Sequence, residues 1–180
     1  MEMTEPADEL PRIGVVTIAT DRSLSTDAAG ETIEDVLEER GHEVPMREHV
    51  GSDHDKVQSI VSRMIDRDDV DLVVTSGATS IEPDDITLEA VRPLLDKELS
   101  TFDDLFATLS YEAFGSHAVA ARTLAGVSGG VPVFCLPGNR DAVRLGLEKL
   151  LLPEAGHLVS LARSEATVAD PGIEKEIQEE

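Results

Sequence analysis

Short apolar strands alternate with amphipathic helices along most of the chain, and this alternation constrains the fold more than any other feature. After Pro11, residues 12–18 form a β-branched apolar run, which predicts a buried strand. Residues 29–37 follow with apolar side chains at helical spacing, behind Thr26 or Asp27 as the capping residue. A strand that leads directly into such a helix predicts the first βα unit of an α/β fold.

The same alternation recurs downstream. Further strands are predicted at residues 43–50, 71–75 and 131–136, and further helices at 57–65, 87–95, 101–114 and 143–151. Strands this apolar are covered on both faces, as in parallel sheets. The sequence therefore predicts a three-layer α/β/α sandwich with a mainly parallel sheet, whose ligand site lies where the strands end and the helices begin.

The length of 180 residues suits a single domain with a sizeable core. We expect that domain to span residues 11–163, with a flexible segment at 1–10 and an acidic flexible tail at 164–180, because neither end has apolar periodicity. The lone cysteine, Cys135, excludes an internal disulfide and is expected in the core.

Acidic residues outnumber basic ones by 37 to 15, for a net charge of -22. A surface this negative repels phosphate backbones and anionic lipids, which argues against nucleic-acid and membrane partners. The acids are distributed along predicted helix faces, as at Glu31, Glu34 and Glu38, which favours a halophilic protein whose self-repulsion is screened by salt. Without an apolar run long enough to span a bilayer or a signal peptide, we expect a cytoplasmic protein.

Two strand ends carry small residues suited to anion binding. The strand at 71–75 runs into Ser76, Gly77, Ala78, Thr79 and Ser80, whose backbone N–H groups and hydroxyls could hold an anion. The strand at 131–136 ends in a second such loop, formed by Pro137, Gly138 and Asn139. The alternative is structural, with Gly77 in a turn and Asn139 as a helix cap, and neither loop decides between them alone.

Carboxylates and an arginine accompany these loops. Asp84 and Asp85 lie at the predicted start of the helix after the first loop, where one of them could instead serve as a cap. Asp21 and Arg22 follow the first strand. The five histidines show no metal-ligand spacing, so no structural metal is expected; they are His42, His49, His54, His117 and His157.

The order and spacing of these motifs resemble the molybdenum cofactor biosynthesis family of MoaB and MogA type, related to the G domain of gephyrin. The family's Thr-Thr-Gly-Gly-Thr-Gly and Asp-Val-Thr-Pro-Glu-Ala motifs align with residues 75–80 and 85–90. Its Arg-Pro-Leu, Leu-Ser, Ser-Arg-Ala-Val-Ala-Gly and Leu-Pro-Gly segments follow in order at 92–94, 109–110, 121–126 and 136–138. The resemblance covers about residues 12–163 and implies the molybdopterin-binding fold.

The resemblance also implies a function. Family members bind molybdopterin, and the adenylyltransferase members join it to AMP from Mg-ATP with release of pyrophosphate. It places the catalytic aspartates at Asp85 and Asp53, with Asp85 on the magnesium ion. The implied molybdopterin and nucleotide contacts are Ser76, Gly77, Ala78, Thr79, Ser80, Ser110, Arg122, Pro137, Gly138 and Asn139. Family members are trimers, some paired into hexamers, and whether molybdenum or tungsten is inserted later is not readable from the sequence.

One departure lies at the centre of the motif. Ala78 and Ser80 replace two glycines of the family pattern, and a Cβ in a left-handed conformation costs on the order of 1 kcal/mol. Either the loop is rearranged and still binds, with the hydroxyls of Ser76 and Ser80 as added donors, or the protein is a non-catalytic molybdopterin-binding scaffold. A third reading, a nucleotide-pyrophosphate hydrolase of the competence-damage type, is less favoured because residues 109–126 follow the MoaB pattern.

Overall fold

The computed structural model describes residues 10–20 and 27–164. The strands are β1 (Ile13–Ile18), β2 (Arg47–Val50), β3 (Leu72–Ser76), β4 (Lys97–Glu98), β5 (Leu124–Ser128) and β6 (Val131–Leu136). The α-helices are α1 (Ala28–Glu39), α2 (His54–Ile65), α3 (Thr87–Val91), α4 (Ser100–Phe114), α5 (Arg140–Gly146) and α6 (Leu152–Arg163). Two 3-10 segments (Arg92–Leu94 and Gly115–Ala120) and a π-helical turn (Leu147–Leu151) connect them.

The six strands form one sheet in the order β2-β1-β3-β6-β5-β4. The first four are parallel, whereas β5 and β4 run antiparallel to their neighbours. This arrangement confirms the predicted α/β fold with a mainly parallel sheet.

Helices cover both faces of the sheet, as the apolar strands require. Alternate residues of β1 point to opposite sides: Ile13 and Val15 join a core with α1, α4, α5 and α6, whereas Val16 and Ile18 join a second core with α2 and α3. The side-chain period of two in a strand therefore divides one apolar run between two cores, and the result is the predicted three layers.

The hairpin of β5 and β6 is absent from the prediction. Gly129 and Gly130 connect the two strands with φ of 55° and 84°, the conformation of a type I′ turn. A Gly-Gly pair between two apolar runs is a sequence signal for such a hairpin. Gly126 in β5 also allows β4 to approach, because a Cβ there would lie 2.3 Å from the carbonyl oxygen of Lys97.

Several boundaries differ from the prediction, mostly at prolines. β2 begins at Arg47 rather than residue 43, after Pro45, and the helix predicted at 87–95 ends at Val91 before a 3-10 turn that contains Pro93. Helix α6 was not predicted. Asp27, one of the two predicted caps, does cap α1, with its carboxylate accepting a 2.9 Å hydrogen bond from the N–H of Gly30.

Some predictions concern residues outside the described ranges, namely Asp21, Arg22, Thr26 and most of the two terminal segments. Of the acids expected on solvated helix faces, Glu31 and Glu38 are exposed, whereas Glu34 is half-buried and accepts a hydrogen bond from Arg47. No helix in the described ranges is long and apolar enough to cross a membrane.

Candidate functional site

A cleft of about 580 Å³ opens at the carboxyl ends of the parallel strands. Its walls come from the end of β1, the loop after β3 and the loop after β6. The short segment Gly115–Ala120 closes another side. The cleft therefore lies at the edge of the sheet that the strand order predicts for a ligand.

The loop after β3, residues 77–80, is called the cleft loop here. Gly77 has φ of 107°, and a Cβ at this position would lie 2.2 Å from the carbonyl oxygen of Ile18. Ala78 follows with φ of 55° and is the one non-glycine residue with positive φ in the described part of the chain. Of the two residues that depart from the family pattern, Ala78 therefore carries the left-handed strain and Ser80 does not.

All four carbonyl groups of the cleft loop accept hydrogen bonds from the protein. Thr87 serves the first two: its hydroxyl donates to the carbonyl of Gly77 at 2.8 Å and its N–H to that of Ala78 at 3.0 Å. The Nε–H of Arg122 serves the other two, at 2.8 Å to Thr79 and 3.1 Å to Ser80. The carbonyl side of the loop is thus fully engaged.

The N–H groups of the same loop are arranged differently. Gly77 donates to the carbonyl of Leu136 on β6 at 3.0 Å. Within residues 10–20 and 27–164, no group accepts a hydrogen bond from the N–H of Ala78, Thr79 or Ser80. Consecutive N–H groups next to left-handed residues form the kind of concavity that binds anions.

The loop after β6 packs directly against the cleft loop. The hydroxyl of Ser76 donates to the carbonyl of Pro137 at 2.9 Å, and a Cβ on Gly138 would lie 3.2 Å from the Cα of Gly77. Asn139 caps α5, accepting from the N–H groups of Asp141 and Ala142 at 2.8 and 3.1 Å. The structure thus brings Pro137, Gly138 and Asn139 beside the cleft loop. Asn139 is the helix cap that the sequence allowed, and it also lines the cleft, where it can contact a ligand.

Three carboxylates line the cleft: Glu82, Asp84 and Asp85. None of them takes part in an ion pair among the described residues, although one oxygen of Asp85 accepts a 3.3 Å hydrogen bond from the N–H of Glu82. Neither aspartate caps α3, whose N-cap is Ile86 without a side-chain bond. The expectation that one of them serves as the cap is therefore wrong.

Asp53 has a different environment from Asp85. It is exposed, and it caps α2 by accepting a 3.0 Å hydrogen bond from the N–H of Lys56. Its neighbour Ser52 lines the cleft, but Asp53 itself is not among the lining residues. Asp85 therefore lies in the wall of the cleft, whereas Asp53 lies outside it, next in sequence to the lining residue Ser52.

The side chains of Arg122 and Ser80 form hydrogen bonds with other groups of the protein and do not point unbonded into the cleft. Besides the two carbonyls, the Arg122 guanidinium contacts the carboxylate of Glu89 at 2.9 Å; this hydrogen bond raises the pKa of Arg122 and lowers the pKa of Glu89. The Ser80 hydroxyl donates to the carbonyl of Ala120 at 3.0 Å. The hydroxyl hydrogens of Ser76 and Ser80 are thus donated within the chain, contrary to their expected use as added ligand donors.

A second cavity of about 410 Å³, called the annex here, adjoins the cleft and shares His117, Ala121, Pro137 and Asn139 with it. Its walls include Phe106 and Phe114. Ser110 lies there too: it is 2% exposed, and its hydroxyl has no hydrogen-bond partner in the described part of the chain. The annex thus combines an apolar wall with one unpaired polar group.

Sequence reasoning missed Thr17, Thr87 and the part played by His117. Thr17 lines the cleft at the end of β1, a position that the strand prediction could have marked. His117 is exposed and lines both cavities, although it has no ligand spacing. Thr87 matches the threonine of the family motif at residues 85–90, but its contact with Gly77 exists only once α3 has packed against the cleft loop. No group of three or more potential metal ligands occurs in the described ranges.

Known proteins resemble this chain over most of its length. The profile of a family described as a probable molybdopterin binding domain matches residues 14–157. Molybdenum cofactor biosynthesis protein B of Bacillus cereus is 41% identical over 162 residues, which are 88% of this chain and 96% of the relative.

Solved structures agree with this match. A crystal structure of molybdenum cofactor biosynthesis protein B superposes with a TM-score of 0.84 at 40% identity, covering 87% of this chain and 98% of that one. The tungsten cofactor synthesizing protein MoaB from Pyrococcus furiosus superposes with a TM-score of 0.77 at 34% identity, covering 87% and 99%.

Proposed function

Since the chain belongs to the molybdenum cofactor biosynthesis family of probable molybdopterin binding domains, we propose that it binds molybdopterin and transfers AMP to it from Mg-ATP. The observation that carries this proposal is the division of the cleft loop. Its four carbonyls are hydrogen-bonded to Thr87 and Arg122, whereas the N–H groups of Ala78, Thr79 and Ser80 have no acceptor among the described residues.

These N–H groups suit a phosphate. A chain with a net charge of -22 repels anions at a distance, so an anionic ligand needs local donors. Backbone N–H groups supply partial positive charge without adding a side chain. The cleft loop therefore binds phosphate oxygens, while Thr87 and Arg122 keep its carbonyls turned to the protein.

The annex suits the pterin ring. Phe106 and Phe114 provide apolar contact for a flat heterocycle, and Ser110 provides a buried hydroxyl whose hydrogen bonds are unsatisfied among the described residues. Polar edges on a pterin would satisfy that hydroxyl, since buried polar groups without partners are unfavourable. The shared residues Pro137 and Asn139 lie between the ring in the annex and the phosphate in the cleft.

The carboxylates suit magnesium. Mg²⁺ binds through one or two protein carboxylates together with substrate phosphates rather than through a complete protein cage. Among the described residues, the cleft offers carboxylates without an ion pair and without such a cage. We assign Asp85 to the ion. When bound with ATP, magnesium neutralises charge on the triphosphate.

The chain's own residues then bind and orient the reactants. The molybdopterin phosphate, held at the cleft loop, attacks the α-phosphorus of ATP; a new P–O bond forms, the α–β bridging bond breaks and pyrophosphate leaves. Asp53, next to the lining residue Ser52, still has one carboxylate oxygen outside its helix-capping bond, and we assign it to orienting the nucleotide.

The direct test is to incubate the protein anaerobically with molybdopterin, ATP and magnesium at molar KCl and to measure adenylylated molybdopterin and pyrophosphate. Both products are expected in equal amounts. Asp85→Asn should lower turnover by about 100-fold or more without unfolding the protein, because the cation loses its charged ligand. Asp35→Asn, an exposed acid on α1, is the matched control and should leave turnover unchanged.

Asp53 can be tested without disturbing the fold. Asparagine caps helices as well as aspartate does, so Asp53→Asn should keep α2 intact while removing the charge. A turnover loss in this variant supports the orienting role. Unchanged turnover leaves Asp53 as a helix cap alone.

A second candidate function is a molybdopterin-binding scaffold without transferase activity. The observation that favours it is the strained Ala78 in the cleft loop, with φ of 55° at a position where the resembling family carries glycine. The same assay separates the two functions, since a scaffold retains molybdopterin and yields no pyrophosphate.

We also propose that the chain assembles with itself as a trimer or hexamer. Tyr111, Phe114 and Val119 lie close together in sequence, and Tyr111 and Val119 are 65% and 91% exposed, which is unfavourable for apolar side chains left in water. Light scattering coupled to size exclusion in molar KCl should give three or six times the chain mass of 19.3 kDa. A monomeric mass would contradict this assembly.

A further inference from the structure

Three hydrogen bonds join the cleft loop to residues 120–122, at the end of the segment that separates the cleft from the annex. The Ser80 hydroxyl donates to the carbonyl of Ala120 at 3.0 Å, and the Arg122 Nε–H donates to the carbonyls of Thr79 and Ser80. Ala120 ends the segment Gly115–Ala120, and Arg122 follows it by two residues. The cleft loop is thus attached at its far end to one short stretch of chain.

That stretch is a wall of both cavities. His117 and Ala121 line the cleft and the annex alike, while Ala120 lines the cleft. The segment is a 3-10 turn with no buried residue, and among the described elements it packs mainly against α4, the helix that it follows. Its position relative to the cleft loop therefore depends on the hydrogen bonds from Ser80 and Arg122.

Arg122 is held in place by a second contact, whereas Ser80 adds a side chain at a position where the family pattern has glycine. The guanidinium is anchored by Glu89 at 2.9 Å on α3, the helix that also supplies Thr87 to the other end of the cleft loop. A glycine at position 80 would keep the carbonyl bond to Arg122 but would lack the hydroxyl bond to Ala120. The hydroxyl bond is therefore the link that position 80 contributes through its side chain.

We propose that Ser80 is a positioning residue, whose hydroxyl fixes the wall between cleft and annex and thereby sets the affinity for a ligand that occupies both. The inference rests on the proposed molybdopterin function. The hydroxyl acts through Ala120 rather than on the reacting atoms, because its hydrogen is donated to that carbonyl. Removing it loosens the wall, so a ligand must order the wall when it binds and its affinity falls.

The test compares Ser80→Ala, which removes the hydroxyl, with Ser80→Thr, which keeps it. Molybdopterin binding is measured by anaerobic fluorescence titration, and KM and kcat are measured in the pyrophosphate assay. Ser80→Ala should raise Kd and KM for molybdopterin about 3- to 10-fold, the range expected for one lost hydrogen bond, with kcat unchanged at saturation. Ser80→Thr should restore both values to within about twofold.

Ser59→Ala, at an exposed position on α2, is the control for loss of a serine hydroxyl and should leave Kd unchanged. If Ser80→Ala lowers thermal stability while Kd for molybdopterin stays at the wild-type value, the role is structural and the proposal is wrong. A fall in kcat with unchanged KM also overturns it. If the wild-type protein does not bind molybdopterin at all, the proposed function fails first, and that result is distinct from unchanged binding in the variant.

Discussion

Strand β3 has a polar cavity at each end, and the two differ in how their charges are paired. At its amino end, Asp71 lies in a cavity of about 770 Å³ together with Arg12 and Arg163. At its carboxyl end, Ser76 leads into the cleft of about 580 Å³. The larger cavity is therefore at the end opposite to the candidate site.

The charges at the amino end satisfy one another. Asp71 accepts hydrogen bonds from the N–H of Arg12 at 2.7 Å, from the Nε–H of Arg12 at 3.0 Å, and from the guanidinium of Arg163. Its side chain is 8% exposed. Burial raises the pKa of Asp71, but the hydrogen bonds from Arg12 and Arg163 outweigh burial and lower it to about 2.

The polar groups at the carboxyl end are only partly paired with one another. Glu82, Asp84 and Asp85 form no ion pair within the described residues, and three N–H groups of the cleft loop have no acceptor there. Unsatisfied donors and acceptors that lie close together are a better sign of a ligand site than the volume of a cavity, because a closed set of charges offers a ligand little to bind. At the amino end, the contact of Arg163 with Asp71 connects α6 to the sheet. At the carboxyl end, donors and acceptors remain available to a ligand.

The change expected to have the largest effect is Gly77→Ala. The new Cβ would lie 2.2 Å from the backbone oxygen of Ile18, and residue 77 has a φ of 107° that alanine rarely adopts. The cleft loop must therefore move, or the backbone must be strained. We expect a loss of about 2–4 kcal/mol in the free energy of unfolding, measured in urea, together with loss of molybdopterin binding.

Gly51→Ala is the control for that substitution, because a Cβ there meets nothing within 4 Å. It should change stability by less than about 1 kcal/mol. Wild-type stability and binding in Gly77→Ala would mean that the cleft loop is not held as described.

Asp71→Asn should affect stability and leave the cleft unchanged. The arginines lose their charged partner, but their side chains are 40% and 56% exposed, so the loss should be about 2 kcal/mol rather than the larger loss of a fully buried pair. Urea titration measures it, and molybdopterin Kd should match the wild type. Asp69→Asn, which breaks the exposed pair with Arg67, should lower stability much less than Asp71→Asn does. Weaker binding in Asp71→Asn would show that the two ends of β3 are coupled.

Acid should remove the contribution of Asp71 in a defined range. A carboxyl whose folded pKa is about 2, against an ordinary value of 3.8, stabilises the fold above pH 3.8 and loses this effect as pH falls toward 2. The stability difference between wild type and Asp71→Asn should be constant above about pH 5 and shrink by about 1–2 kcal/mol on acidification. A difference that is independent of pH would contradict the lowered pKa.

Ala78→Gly should have the smallest effect. Glycine relieves left-handed strain of about 1 kcal/mol but adds unfolded-chain entropy of about 0.4–1 kcal/mol, so the two nearly cancel. We expect a stability gain of about 0.5 kcal/mol or less in urea. Destabilisation beyond about 1 kcal/mol would show that the packing of the Ala78 side chain against the α2 and α3 core outweighs its strain.

Most of the fold was predictable because periodicity encodes burial. The apolar runs of β1, β3 and β6 and the spacing in α1, α2 and α4 indicated a parallel sheet covered on both faces, and this proved right. The β5–β6 hairpin and α6 were missed, since β5 contains a glycine and α6 follows a π-helical turn that shifts the helical register. The halophilic interpretation of the acidic composition stays a prediction, testable by stability in increasing KCl.

The sequence by itself determined the α/β class, the two small-residue loops and the identity of the acids beside them, because these depend on local residue type and spacing. Only the tertiary structure decided which polar groups are already satisfied. It paired Asp71 with two arginines from distant parts of the chain, engaged Thr87 and Arg122 with the cleft loop and made Asp53 a helix cap. It left Asp85 without an ion pair among the described residues. Hydrogen-bond partners far apart in sequence meet only when elements pack, so the difference between a structural and an available carboxylate is a property of the fold.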